Sequence, residues 1–379
     1  MTTIVMHKKL SFLVALTGAL LLTGAGCIVF GPAAPQVGPR GMYRSSDRAE
    51  TWAPIDNVLT SGGVKSMAGV SVYKIFPDPT DADTMYLAAR GEGLFVTYDS
   101  GDSWQRVLPL SGKFIYALTI DPQNKCLVYV SDGAHVYKTK DCLRTWELMY
   151  TEERPGQRVV ALAVDFAKSP LVYAALLNGD ILSSKDGGES WQVIQRFGFT
   201  VQVMVSDPLA AGRLYIASPK KGLFRSDNGG VSFDNLSDGL APYSGSEDFY
   251  RLILHPTKRD GLFWISKYGI LRSTDAGRTW SDYKLITPPG AVNIYAFAID
   301  PKNDKALYYV GTILNKPDEV KSALSGSTPP PSGRSTLYKS VDGGKNWITK
   351  KLPTNAIPVA LRIHPTQNNV LFLGFTDSP

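Results

Sequence analysis

Three cysteines and four histidines in 379 residues leave little material for a metal centre of thiolates and imidazoles, and one of those histidines, His7, lies in the leader. A basic cluster is also lacking. The 40 lysines and arginines are interspersed with 34 acids, without the concentrated positive footprint that nucleic acids require. No nucleophile elbow, zinc-binding helix motif or phosphate loop occurs; Gly91-Glu92-Gly93 comes nearest to the last and reads better as a hairpin turn. These absences point to a protein without metal or organic cofactor. What the chain has in plenty is turn formers and apolar residues. Its 35 glycines and 25 prolines favour many short strands over helix bundles. A composition 44% hydrophobic and 11% aromatic supports a sizeable core and excludes a disordered chain.

Residues 1–30 stand apart. His7, Lys8 and Lys9 precede an uncharged apolar run over 10–30, the form of a secretory signal. Within it, Leu21-Leu22-Thr23-Gly24-Ala25-Gly26-Cys27 resembles a bacterial lipoprotein signal, in which small residues precede the cysteine that becomes the lipidated N-terminus. The resemblance implies removal of 1–26, lipidation at Cys27 and a Pro/Gly spacer through residue 40. It also implies a mature chain tethered to a bacterial membrane, facing the periplasm or the cell surface. An uncleaved run of this length would span a bilayer as well. In both readings the lysines stay inside and the rest of the chain goes out.

Past residue 40 one motif recurs seven times, Ser/Thr-x-Asp-x-Gly-x-Ser/Thr-Trp in clean or worn form. Its acid and aromatic positions are Asp47 and Trp52, Asp99 and Trp104, Asp141 and Trp146, Asp186 and Trp191, Asn228 and Phe233, Asp275 and Trp280, and Asp342 and Trp347. Every tryptophan except Trp264 falls in this frame. A hydroxyl and a carboxylate two positions apart can bond backbone N–H groups of their own turn. Glycine then supplies a positive φ, and the aromatic ring anchors the turn in apolar neighbours. Calcium binding is the sharper alternative for Asp/Gly loops, but each copy offers one carboxylate rather than the alternating acids of an oxygen cage. The turn reads as structural, with no metal.

Between copies runs a second repeat: an alternating strand, a turn and an apolar strand, centred on Asp78, Asp121, Asp165, Asp207, His255, Asp300 and His364. The two histidines read as turn residues rather than general bases. One unit is therefore strand A, turn, strand B, hairpin, strand C, repeated turn, strand D. Successive box aromatics are 42 to 67 residues apart, the period of a propeller blade. The first unit, from residue 41, has only C and D strands; the last, over 359–375, has only A and B. The sequence thus predicts an all-β fold, a single seven-bladed β-propeller over 41–379 built of four-stranded antiparallel blades. Its ring closes by pairing N-terminal C/D strands with C-terminal A/B strands, which removes the open edges. A long B–C insertion is expected over 311–334, where a Ser/Thr/Pro/Gly stretch cannot build a core. Cys126 and Cys142 flank a hairpin turn near Asp132-Gly133 and are expected to pair as a disulfide outside the reducing cytoplasm. Two buried thiols are the other reading.

The repeated turn is identified as the Asp-box. The chain resembles the Asp-box propellers of photosystem II stability and assembly factors and, more distantly, those of sialidases, sortilin-type receptors and xyloglucan-cleaving hydrolases. Such propellers share a fold and not an activity. No Arg-Ile-Pro element of the sialidase kind occurs, and the xyloglucan hydrolases set two propellers across a cleft where this chain supplies one, so no catalytic residue is assigned. In propellers the D–A and B–C connections share the face opposite the boxes. On that face Phe114, Arg158, Arg196, Tyr250, Arg251 and Tyr295 are the candidate binding residues, with the three arginines as a basic collar at the pore mouth. The expected function is noncatalytic binding or assembly of an extracytoplasmic protein or glycan by a monomer. A glycan-binding or glycoside-hydrolase-like protein is the alternative.

Overall fold

The computed structural model describes residues 38–167, 170–314 and 333–377. Residues 1–26, Cys27 and most of the expected spacer lie outside them. No helix among the described residues is long and apolar enough to cross a membrane.

Seven sheets, antiparallel except for one added strand pair in the second, form the expected seven-bladed propeller. The third blade shows the plan: strand A Ala117–Asp121, B Asn124–Ser131, C His135–Thr139 and D Glu147–Thr151, each hydrogen-bonded to the next. The B strands Met85–Ala89, Val172–Leu176, Leu214–Ser218 and Leu262–Ser266 are buried along their whole length. Such strands are apolar on both faces because each blade is packed between two others. The outer D strands, such as Asp234–Asn235 and Ser281–Asp282, are exposed and polar. Trp264, the tryptophan outside the repeated frame, is fully buried in a B strand, where its indole N–H donates to the carbonyl of Ser246 at 2.8 Å.

The first blade is shared between the chain ends. Gly41–Ser45 pairs antiparallel with Leu371–Thr376, from Gly41 opposite Phe375 to Ser45 opposite Leu371, and Ile357–Ile363 completes the inner edge. The second blade has six strands where four were expected. A hairpin of Asn57–Thr60 and Gly63–Ser66 lies beside its D strand Trp104–Arg106, with Val58 in parallel register with Trp104. In the seventh blade strand B is Asn303–Ile313 and pairs with Ser335–Ser340 through Thr312 opposite Ser335. The first residues assigned to the 311–334 insertion are therefore strand, because extended register with strand C satisfies their backbone. Positions 315–332 lie outside the described residues.

The seven repeated turns share one hydrogen-bond plan. The first hydroxyl, from Ser45, Thr97, Thr139, Ser184, Ser226, Ser273 or Ser340, accepts a backbone N–H four residues on at 2.6–3.1 Å. The Asp or Asn side-chain oxygen accepts another N–H four residues beyond itself at 2.9–3.0 Å. Two successive left-handed residues make this geometry, and it holds even where no glycine is present, at Arg48-Ala49 and Cys142-Leu143. The donors stabilise the charged carboxylate: the Thr145 hydroxyl and N–H hold Asp141 down to about 2, and Asn346 does the same for Asp342. Cys142 faces Cys126 as a disulfide, their Cα atoms 4.0 Å apart.

Candidate functional site: the channel and its mouth

The seven A strands surround a channel with a cavity of about 580 Å³. Counting back five residues from each A–B turn gives one position per blade: Tyr73, Tyr116, Val160, Gln202, Tyr250, Tyr295 and Val359. In five blades the strand register shifts here, between Val72 and Lys74, Val159 and Ala161, Phe249 and Arg251, Ile294 and Ala296, and Pro358 and Ala360. A β-bulge at one repeated level breaks the in-out alternation and re-aims a side chain toward a site. Four of the seven residues at this level are tyrosines.

Three aromatic rings gather on the blade-2 and blade-3 side of the mouth. Phe114 stacks on Tyr116 with centroids 4.4 Å apart, and Tyr73 meets Phe114 edge-on at 4.9 Å. Cations lie over these rings: Lys74 and Arg90 over Tyr73 at 4.8 and 5.3 Å, and Arg158 over Tyr116 at 5.4 Å. Arg158 also donates to the Tyr116 hydroxyl at 2.9 Å. On the other side Tyr250 donates to Asn293 at 3.4 Å.

The three arginines expected to form a collar separate. Arg158 is exposed at the rim. Arg251 turns inward, where its guanidinium donates to the carbonyls of Tyr295 and, at 2.8 Å, Val359, bulge residues of the next blade and of the one beyond it. Arg196 ends the outer strand Gln192–Arg196 rather than preceding an inner one, and it pairs with Asp180. Lys74, Arg90, Arg362 and Tyr73 escaped the sequence reading. Aligning the A strands on their turn residues would have placed Lys74 and Arg251 at one level, but the bulge that brings their neighbours to the mouth has no sequence signature.

Four acids of this face are paired with cations, whereas Glu92 and Glu247 accept the backbone N–H groups of Ser71 and Gly245. Asp132 binds Lys113 at 2.6 Å, Glu152 and Asp180 bind Arg154 at 2.8 Å, and Asp248 binds Lys220. The Arg154 guanidinium holds Glu152 down to about 2. Burial pulls Asp132 upward, yet the Lys113 ammonium and the His135 N–H outweigh it and keep the carboxyl below its usual range. Among the described residues no three His, Cys, Asp or Glu side chains come together to hold a metal ion.

No protein-family profile matches the chain. It is 28% identical over 272 residues to xyloglucanase Xgh74A of Acetivibrio thermocellus, covering 64% of this chain and 28% of that relative. The chain thus spans less than a third of that curated relative. Among solved structures it superposes on the GH74 xyloglucanase of Xanthomonas campestris with a TM-score of 0.61 and 16% identity, over 81% of this chain and 51% of the other. It superposes on YCF48 bound to D1 peptide with a TM-score of 0.57 and 15% identity, over 82% of this chain and 93% of the other. At these identities the structural likeness establishes the propeller fold.

Proposed function

We propose that this chain is a noncatalytic binding protein that recognises another macromolecule outside the cytoplasm, with a lipid on Cys27 holding it at the membrane. The observation that carries the reading is the channel mouth, where Tyr73, Phe114 and Tyr116 are overlaid by Lys74, Arg90 and Arg158. Tyrosine and arginine are the side chains that supply most binding energy at recognition surfaces. Glycoside hydrolysis, by contrast, needs two carboxyl groups across the scissile bond, one of them kept protonated by a raised pKa. Glu152, Asp132 and Asp248 are instead pulled down by the cations they bind. The peptide carried by the YCF48 structure supports a polypeptide partner, and the uncompensated cations favour an acidic segment of it. The xyloglucanase relatives support a glycan partner as the second reading, with the tyrosines as stacking platforms.

The test applies the purified chain to acidic-peptide and glycan arrays, beside an Arg158→Glu/Phe114→Ala variant. Acidic peptides should bind and be lost from the variant while its melting temperature stays near wild type. Strong oligosaccharide binding, or release of reducing sugar from xyloglucan, overturns the reading. Mass spectrometry of the native N-terminus tests the anchor, since an unacylated Cys27 or an intact leader removes it.

A further inference from the structure

Below the mouth the channel wall carries charge of one sign. Lys74, Arg251 and Arg362 line the cavity from the inner strands of blades 2, 6 and 1, and Arg90 joins them from above. Among the described residues no aspartate or glutamate lines the cavity. Lys74 spends one N–H on the Tyr116 carbonyl at 3.3 Å, and Arg251 spends its bonds on two backbone carbonyls. Arg362 lines the lumen as an exposed residue and has no hydrogen-bond acceptor or carboxylate partner among the described residues. Gathering like charges in a confined wall is unfavourable unless something compensates them. Lys74 and Arg251 both stand four residues before their turns, and Arg362 stands two before its own. Arg362 is therefore deeper in the channel by about 7 Å, two residues of strand rise.

We propose that the channel is a binding site for a small polyanion, a molecule bearing two or more phosphate or carboxylate groups, held at two heights by Lys74 and Arg251 above and Arg362 below. The cavity of about 580 Å³ falls within the range of small-molecule pockets. The wall at the level of Lys74 and Arg251 is otherwise apolar, from Ala117, Ala161, Val203 and Ala296, and the polar residues that also line the cavity, such as Thr119, Gln202 and Ser206, are uncharged. This site lies inside the lumen and goes beyond the surface recognition proposed above.

A proton accompanies the ligand. Burial, and then the Arg251 charge, bring the Lys74 ammonium down to about 8. The groups that face it are the Tyr73 ring, the Tyr116 carbonyl and Arg251, with Arg90 and Arg158 beyond Tyr73 and Arg362 beyond Arg251. None is an acid, so a bound anion returns Lys74 to its charged form. Affinity should fall as pH rises through 8, with proton uptake on binding near that pH.

Isothermal titration of the purified full chain with pyrophosphate, citrate and inorganic phosphate, at pH 7 and pH 9, tests this. Pyrophosphate or citrate should bind at pH 7 at least tenfold more tightly than inorganic phosphate and more weakly at pH 9. Which of the two binds distinguishes phosphate from carboxylate chemistry. Arg362→Gln and Lys74→Met should each weaken binding at least tenfold, with Lys185→Gln, on the outer surface, unchanged. Lys74→Met should also abolish the proton uptake. No heat with any of the three probes, or equal affinity in the variants, overturns the proposal. Should a variant fail to fold, crystals of the wild-type protein soaked in tungstate decide: an anomalous peak is expected between Lys74, Arg251 and Arg362, and its absence refutes the site. Either outcome leaves the peptide-array result, which rests on Arg158 and Phe114, to be judged separately.

Discussion

The indole N–H of Trp104 in the second blade donates to the carbonyl of Ile55, in the segment leaving the first, at 2.9 Å. A Cβ on Gly101 of the same turn would come within 2.5 Å of the Ile55 Cδ1. The relationship recurs around the ring. Gly188 sits on Met149, Gly230 on Ile194 and Gly344 on Tyr283, while Trp191 and Trp347 donate to the carbonyls of Met149 and Lys284. In the second, fourth, fifth and seventh blades the repeated turn is thus a clamp on the D strand of the blade before it or on the residues just past that strand.

Trp104→Ala should lower unfolding free energy by about 3–5 kcal/mol, the cost of emptying a buried aromatic site. Trp104→Phe should lose about 1–3 kcal/mol through the unpaired Ile55 carbonyl alone. Urea titration followed by tryptophan fluorescence measures both; a Trp104→Phe protein as stable as wild type would contradict the hydrogen-bond contribution, and equal losses for the two variants would contradict the contribution of ring burial.

Acid should weaken the clamps. Asp141 and Asp342 titrate at about 2 when folded and near 4 when unfolded. Their stabilisation is therefore fully present above pH 4 and is lost as pH falls toward 2. Asn228 makes the same bonds without a charge, accepting the Ser232 N–H at 3.0 Å and donating to its hydroxyl at 2.9 Å. Asp342→Asn should accordingly flatten the acid limb of a stability–pH curve while keeping the fold at pH 7, whereas Asp342→Ala should be the more damaging change at neutral pH.

His255 contributes a second, milder dependence. Its Nδ1 accepts the N–H groups of Thr257 and Lys258 at 3.3 and 3.1 Å, an arrangement only the neutral ring permits. Burial, then Lys258 and Arg272, hold the ring down to about 4. The contribution is complete above pH 6.5 and declines as pH drops from there to 4. His255→Asp, the residue at five of the other six turns, should remove that slope between pH 7 and 5 in denaturant melts.

Removing residues 357–379 leaves Gly41–Ser45 without its partner and exposes edges on both sides of the gap. Size-exclusion chromatography should show aggregates, and the cooperative melt should vanish. A monomer with an unchanged melting curve would refute the shared blade.

Reduction of the Cys126–Cys142 bridge, 16 residues apart, should cost about 3 kcal/mol by the chain-entropy account. Thiol labelling of denatured, unreduced protein should leave both cysteines unmodified, and labelling at both would disprove the bridge.

The ring was legible because its signals are local and repeated: seven turns with a hydroxyl, an acid and an aromatic residue in fixed order, and strand fragments at the two ends that complete one another. The hairpin at Asn57–Ser66 was not read, although Thr60-Ser61-Gly62-Gly63 is a turn signal, because the repeat assigns no strands to that interval. The mouth was half legible. Phe114, Arg158 and Tyr250 could be placed on the right face from loop order alone. Arg196 was misplaced by one connection, since nothing in Gln192–Arg196 marks where an outer strand stops. The inward turn of Arg251 depends on carbonyls of two other blades, a relationship no neighbouring residue encodes.

The shared first blade also sets an order of events in folding. Arg40 and Asp377, 337 positions apart, form an ion pair beside the closing strands. A chain emerging from its N-terminus must therefore carry Gly41–Ser45 with one edge open, paired only with Ala53–Pro54, until Leu371–Thr376 has been made. Contacts of such long range belong to slow, late steps, and an incomplete ring offers a free strand edge to any neighbour for as long as the wait lasts. Six blades can form in succession while the place of the shared blade stays open, and its closure is the step that covers the last free strand edges.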